Sequence, residues 1–317
     1  MRPEVSIECR DQYELAQIHS RSAIPIRLHI RVDRYHRGAC SFAALLVILL
    51  LFTTQTYAAQ CGGDFKAFIA AMAREAEATG ISPAVTGQAF AGVTQDQRVL
   101  AFDRAQRSTF QRTFEDYAST RITGGRISRA RQLMQRHTTL LARIEGEFGV
   151  PSNVLMAIWG LESDYGVADI GSLPVIRVVS TLAHDCRRTE LFQGELRAAL
   201  KILQRGDLPL RDLIGAFAGE IGQTQFLPSS YIKYGVDFDG DGRVDLRHSV
   251  PDVLASTANL LKTSGWQAGA QYNDGAANFE VMREWNRAVI YRKTIVLFSE
   301  RIRGEANLTP GYRNRLD

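Results

Sequence analysis

The chain has 317 residues, 45% of them hydrophobic and 23% charged, with 26 Gly, 9 Pro and 4 Cys. This is the composition of a folded globular protein, and it excludes intrinsic disorder, collagen-like repeats and a small disulfide scaffold. The length suits roughly two domains, and a formal net charge of +4 is too slight for an extended nucleic-acid surface.

The first predicted element is an export signal. No charged residue lies between Gly38 and Gly63, and Phe42–Phe52 (FAALLVILLLF) is an unbroken apolar run. Arg31, Asp33, Arg34, His36 and Arg37 precede the run, and Ala58 and Ala59 follow it. A basic flank, a short apolar run and small residues form the pattern of a secretory signal peptide. The run is too short for a membrane anchor, since a bilayer span takes about 20 apolar residues. Cleavage after Ala58 or Ala59 leaves a mature chain beginning near Gln60-Cys61. Tyr57-Ala58-Ala59-Gln60 lacks the Leu and the small residue of a lipobox, so no lipid anchor is expected. Residues 1–30 make an unusually long leader, and Val32 is an alternative start position. Residues 1–59 are therefore set apart from the fold. They carry 7 Arg and 5 acids, so the remainder has a net charge of +2. Cys9 and Cys40 leave with them. Cys61 and Cys186 remain, either as a bridge tying the mature N-terminus to the body in an oxidising compartment or as two isolated thiols.

The body reads as mostly helical. Asp64–Thr79 places Phe65, Phe68, Ile69 and Met72 on one face and stops at Gly80. Ser82 caps a second helix with Pro83 at its first position. Arg98–Arg121 is expected as one helix with an aromatic stripe at Phe102, Phe110, Phe114 and Tyr117, and Arg126–Phe148 as another, ended by Gly149. Val150-Pro151-Ser152 opens a helix over Asn153–Asp164. Thr189–Gln204 is amphipathic and stops at Gly206; Val250–Ser264 and Glu284–Arg303 complete the set. No strand–helix alternation is present, which argues against a parallel nucleotide-binding sheet.

Three segments carry chemistry. Val150–Gly166 (VPSNVLMAIWGLESDYG) is an apolar helix ending in Glu162. A carboxyl placed where apolar packing gives way to a cleft is desolvated, which raises its pKa and keeps it protonated as a general acid; the bland alternative is a solvated helix end stopped by Gly166. Gly219–Tyr234 (GEIGQTQFLPSSYIKY) gathers glycines with Gln223 and Gln225, amides suited to a neutral polar ligand. Phe226, Tyr231 and Tyr234 offer faces for sugar rings; the alternative is a glycine-rich turn followed by a helix starting at Pro228. Asp237–Asp252 (DFDGDGRVDLRHSVPD) sets Asp237, Asp239, Asp241 and Asp245 at positions 1, 3, 5 and 9 of an EF-hand-like loop, with Gly242 at 6 and the Arg243 carbonyl at 7. Position 12 is His248 rather than a bidentate Glu, and Asp252 is the candidate replacement. Such a cluster of carboxylates predicts a structural Ca²⁺ of modest affinity, against the alternative of an acidic surface turn.

Taken together, Ile158–Gly166, Gly219–Tyr231 and the DxDGDG loop resemble the membrane-bound lytic murein transglycosylase B family (glycoside hydrolase family 103). The likeness spans roughly 62–305. The resemblance implies a lysozyme-like catalytic core with an additional α domain and an EF-hand-like calcium loop. It divides the chain into a leader (1–59), an N-terminal α region (60–150), a catalytic region (151–305) containing the loop 237–252, and a tail (306–317). It implies cleavage of the MurNAc–GlcNAc β-1,4 bond of peptidoglycan with formation of a 1,6-anhydro-MurNAc end. It makes Glu162 the single catalytic acid/base and Gln225 a cleft residue. Trp285 and Asn286 match the family's aromatic–Asn pair, and Ala216 stands where some members carry Ser. Gln223, Phe226 and Tyr231 join these as candidate substrate contacts. The implied setting is a periplasmic monomer acting on glycan strands, with cell-wall synthesis or division proteins as candidate partners and no organic cofactor. A hydrolytic muramidase of the same fold and a non-catalytic, calcium-stabilised peptidoglycan-binding protein are the alternatives.

Overall fold

The computed structural model describes residues 59–105 and 113–304. The predicted export signal, Phe110 and the C-terminal tail lie outside these residues. Among the described residues no helix is long and apolar enough to cross a membrane.

The N-terminal helices follow their capping signals. α1 (Phe65–Ala78) starts where the Asp64 carboxylate accepts the Ala67 N–H at 2.7 Å, and it buries Phe68, Met72 and Ala76 at helical spacing. α2 (Pro83–Phe90) has Ser82 as its cap and Pro83 in its first turn. The expected single helix over 98–121 is instead two, α3 (Gln97–Ala105) and α4 (Phe114–Arg121). Thr113 restarts the second by accepting the Asp116 N–H at 3.2 Å. The expected long helix over 126–148 is also broken, into α5 (Gly124–Arg136) and α6 (Thr138–Phe148). His137 leaves helical geometry at φ −107°, ψ 25°. There the Thr138 hydroxyl donates back to the Met134 and Gln135 carbonyls at 3.0 and 2.8 Å, a local bond that competes with the helical ladder.

α7 (Ser152–Ser163) is buried on all sides from Asn153 to Gly160, as expected for a helix that is apolar all round. A short antiparallel pair follows, β1 (Leu173–Pro174) with β2 (Ile214–Gly215), in the register Leu173↔Gly215 and Pro174↔Ile214. Between them stand α8 (Val175–His184) and α9 (Thr189–Arg205), packed along each other. α8 has no counterpart among the predicted helices. Val175, Ile176, Val178 and Val179 give it the β-branched composition of a strand, yet the segment is helical, with every residue but Arg177 buried. α10 (Pro228–Tyr234), α11 (Val250–Thr263) and α12 (Ala277–Val281) follow. The last predicted helix begins late: a 3-10 turn at Met282–Glu284 leads through Trp285–Ala288 into α13 (Val289–Arg303). Asn286 accounts for the delay, because its Oδ1 accepts the Ala288 N–H at 2.9 Å. Buried residues from α1 through α13 form one continuous hydrophobic cluster, in which α13 packs along α7.

Residues 59–62 are fastened to α8, α9 and the turn between them. Cys61 and Cys186 are disulfide-bonded with Cα atoms 5.2 Å apart. The Gly62 N–H donates to the His184 carbonyl at 2.9 Å, and Gln193 Nε2 donates to the Ala59 carbonyl at 2.5 Å. The bridge joins positions 125 residues apart. Closing so long a loop restricts the unfolded chain, an effect of about 2–4 kcal/mol in typical cases. Reduction should therefore lower the melting temperature by several degrees without changing the circular dichroism of the folded protein. An unchanged melting temperature in reductant would contradict this.

Candidate active site

α7 delivers Glu162 to the surface and then reverses sharply. Asp164 and Tyr165 adopt φ of 49° and 62°, and Gly166 follows at 77°. Two consecutive non-glycine residues in the left-handed region cost roughly 1–3 kcal/mol each and persist only when their surroundings hold them. α5 supplies the hold. Arg126 Nε and Arg129 Nη1 lie 3.3 and 3.2 Å from the Asp164 carboxylate, and the Tyr165 hydroxyl donates to the Arg126 carbonyl at 2.9 Å. The Tyr165 ring closes over Gly160, where a Cβ would come within 2.6 Å of the phenol oxygen. Only glycine fits there.

Glu162 Oε1 accepts two hydrogen bonds, from the Tyr291 hydroxyl at 2.6 Å and from Trp285 Nε1 at 3.0 Å. Burial pushes the carboxyl up to about 7, against the two hydrogen bonds, which favour its charged form; the negative charge of Glu220 adds to the rise. A carboxyl balanced near neutrality can give a proton and take one back. Glu162 itself remains partly exposed, between buried Gly160 and buried Ser163.

Trp285 is only 4% exposed, and its ring meets Phe226 edge-to-face at 5.5 Å. Its indole therefore serves Glu162 rather than offering an open stacking face. Phe226 is buried beneath it. Asn286 is buried as well and forms the turn into α13. Tyr291 is the functional residue that motif reading missed. It occupies the buried face of α13 with Ile295 and Phe298, where its hydroxyl must find a partner. A tyrosine embedded in an apolar helical face is the signal that could have found it.

The Gly219–Phe226 segment is a tight hairpin in which Ile221 and Phe226 exchange backbone hydrogen bonds of 2.7 and 3.0 Å. Gly222 abuts the Leu246 carbonyl, 2.1 Å from where a Cβ would sit. Gln225 is held at φ 55°, with Nε2 donating to the Gly222 and Ile170 carbonyls at 2.8 and 3.3 Å. It remains partly exposed. The expected sugar contacts of two other residues are corrected. Tyr231 is completely buried, with its hydroxyl donating to the Val244 carbonyl, and has no face for a ring. Gln223 is buried and spends its amide on Trp159 Nε1 at 2.9 Å and the Arg247 carbonyl at 2.8 Å. Ala216 lies in the same region, its N–H donating to the Glu220 carbonyl at 2.9 Å. Glu220, the other nearby acid, is buried and accepts the Ala218 N–H at 2.8 Å.

In the acidic loop, Asp237, Asp239 and Asp252 each offer a carboxylate oxygen within 4.8 Å of the others. The Asp241 and Asp245 side chains stand outside that trio. Asp241 is exposed and pairs with Arg243 Nε at 3.1 Å. Asp245 accepts the Arg247 and His248 N–H groups at 2.9 Å and faces His248 Nδ1 at 3.0 Å. Asp252, in the first turn of α11, also accepts the Phe238 and Asp245 N–H groups at 2.8 Å. Burial holds its carboxyl above the ordinary aspartate range, with those bonds opposing. A trio of carboxylates supplies the hard oxygen donors that Ca²⁺ takes.

The family model for the transglycosylase SLT domain matches residues 64–274. Membrane-bound lytic murein transglycosylase B of Escherichia coli K12 is 36% identical over 157 residues, covering 49% of this chain and 43% of that protein. This chain thus aligns with less than half the length of that relative. SltB3 of Pseudomonas aeruginosa, solved in complex with NAG-NAM-pentapeptide, superposes with a TM-score of 0.71 at 31% identity, covering 77% of this chain and 80% of that one. The E. coli lytic transglycosylase Slt35, solved in complex with calcium, shares the fold with a TM-score of 0.66 at 22% identity, covering 81% and 100%. The mostly helical, lysozyme-like architecture is therefore that of known relatives.

Removing the Tyr291 hydroxyl takes away a bond that favours the charged carboxylate. In Tyr291→Phe the Glu162 titration midpoint, followed by ¹³C NMR of its carboxyl, should rise above the wild-type value near 7. An unmoved or lowered midpoint would refute the contact's role.

Proposed function

The chain belongs to the transglycosylase SLT domain family, and we propose that it is a lytic transglycosylase that cleaves the MurNAc–GlcNAc bond of peptidoglycan with Glu162 as its single acid/base. The observation that carries this reading is the Glu162 carboxyl, pushed up by burial to a pKa of about 7 with two neutral donors at Oε1. The solved relative SltB3, captured with NAG-NAM-pentapeptide and also with NAG-anhNAM-pentapeptide, supports both the substrate class and the anhydro product.

The chemistry follows from the protonation balance. Protonated Glu162 donates to the glycosidic oxygen as the bond from C1 breaks. The substrate's own N-acetyl carbonyl can stabilise the positive charge that develops at C1, which removes the need for a second carboxylate. Glu162, now anionic, takes the proton of the C6 hydroxyl as that oxygen bonds to C1. The anhydro ring closes, Glu162 is again protonated, and no water is consumed. Trp285 and Tyr291 steady the transient carboxylate. Glu220, buried and occupied by a backbone N–H, is a poor base for activating water, which weighs against the hydrolytic alternative. Gln225, which stays partly exposed, is assigned to the substrate side of the site, whereas Asn286 is buried in the turn into α13.

The acidic loop is proposed as a structural Ca²⁺ site. Asp237, Asp239 and Asp252 would hold the ion, the Arg243 carbonyl would complete the set, and Asp241 and Asp245 would join after side-chain rotation. The charge of the ion would offset the mutual repulsion of the carboxylates. The export signal supports a periplasmic location, and residues 60–150 and 151–305 are assigned to the N-terminal and catalytic regions. Glycan strands are the proposed partner.

Glu162→Gln should lower cell-wall clearance by at least about 10²-fold, the usual contribution of a general acid/base; clearance at the wild-type rate would remove Glu162 from the mechanism. The same variant has a signature in stability. The folded protein holds the Glu162 proton more tightly than the unfolded chain, so wild type loses stability as pH rises from about 4.5 to about 7. The glutamine variant escapes that loss, and its melting temperature should gain on wild type between pH 5 and pH 8. For the metal, Ca²⁺ at about 100 times its Kd should add roughly 2.7 kcal/mol of stability. Asp252→Asn should abolish the gain, and a melting temperature indifferent to Ca²⁺ and EDTA would overturn the site.

A further inference from the structure

Gln223 is buried, yet both ends of its amide are bonded within the protein. Trp159 Nε1 is a donor only and must meet Oε1, at 2.9 Å; the Arg247 carbonyl is an acceptor only and must meet Nε2, at 2.8 Å. The backbone N–H of Gln223 donates to the Leu246 carbonyl at 2.8 Å. The amide also lies against Gly166, where a Cβ would come within 2.3 Å of Oε1. Trp159 and Gly166 stand three residues before and four residues after Glu162, and the Trp159 ring meets Tyr165 edge-to-face at 5.5 Å. One side of the Gln223 amide therefore grips the chain before and after Glu162. Leu246 and Arg247, on the other side, are the exit of the acidic loop. That exit is itself fixed. Asp245 accepts the Arg247 N–H at 2.9 Å, Asp252 accepts the Asp245 N–H at 2.8 Å, and Arg247 Nη1 donates to the Ile214 carbonyl on β2 at 2.6 Å.

We propose that Gln223 is a positioning residue that locks the Glu162-bearing end of α7 to the exit of the acidic loop and does not touch substrate. The proposal rests on the reading of Glu162 as the acid/base. Its physical basis is a matching requirement. A single side chain must accept from a buried indole and donate to a half-buried carbonyl, and an uncharged glutamine does both. Without it, both groups lose their partners. The left-handed turn then loses its backing, and Glu162 drifts from Tyr291 and Trp285. A displacement of about 1 Å at such a site costs on the order of 10²-fold in rate.

The test uses Gln223→Met, which keeps most of the volume, and Trp159→Phe, which removes the other end of the same bond. Two readouts apply, steady-state kinetics on peptidoglycan and the indole NMR signals of the chain's three tryptophans. Trp285 donates to Glu162, so its indole N–H reports the Glu162 titration without any turnover. Each variant should lower kcat by at least about tenfold with KM held within about twofold. Each should also move the Trp285 titration midpoint from its wild-type value. The double variant should be no worse than Gln223→Met alone, because the bond that Trp159→Phe removes is already lost there. A raised KM with kcat intact would make Gln223 a substrate ligand and overturn the proposal. An unchanged kcat with an unchanged Trp285 midpoint would reduce it to packing, and so overturn it too. Should Gln223→Met not fold, Trp159→Phe decides alone. The NMR arm stays informative even if Glu162→Gln retains activity, so failure of the catalytic reading and failure of this one are separable.

Discussion

The Glu162 carboxyl loses its water at the end of α7 and gains two donors in return, Trp285 Nε1 and the Tyr291 hydroxyl. Desolvation outweighs both, and the balance leaves the proton on or off near neutral pH. The surrounding architecture answers to that balance. α13 brings Tyr291 and the chain before it brings Trp285, so the packing of α13 along α7 sets the two bonds. Phe226 supports the indole from behind; an edge-to-face pair of this kind contributes about 0.5–1.5 kcal/mol beyond its buried area.

The turn after Glu162 shows what holding such a group requires. Asp164 and Tyr165 are in the left-handed region without being glycine. Their strain is offset by two arginines of α5, by the tyrosine hydroxyl, and by close approaches at Gly160 and Gly166 that no larger residue would allow. Backbone strain persists where its surroundings over-determine the geometry, as they do in this turn.

Much of this was legible in the residues, and the failures have physical causes. α1, α2, α7, α9 and α11 follow caps, glycine stops and apolar spacing, which are local signals. The breaks at His137 and at Thr113 are local too, but they are made by single hydroxyls that periodicity does not register. α8 was hidden because three valines and an isoleucine in its first turns suit a strand. Residue type and spacing single out Glu162 and the acidic loop as candidates, while the roles given to Glu162 and Gln225 come from the family resemblance. Gln223, Phe226 and Tyr231 have the chemistry of sugar contacts but lie inside, and Asp241 and Asp245 turn away from the trio that Asp252 completes. Residue type names what a side chain can do; only packing says whether it faces solvent. Tyr291 was passed over for the converse reason, a polar group concealed in an apolar face.

The central claim is that a single carboxyl moves one proton out and back while the sugar's own hydroxyl replaces water. Digestion of purified peptidoglycan in ¹⁸O-labelled water, followed by mass spectrometry of the muropeptides, tests this directly. The account predicts products lighter by one water at the MurNAc end and free of ¹⁸O. Reducing-end products carrying ¹⁸O at C1 would contradict it.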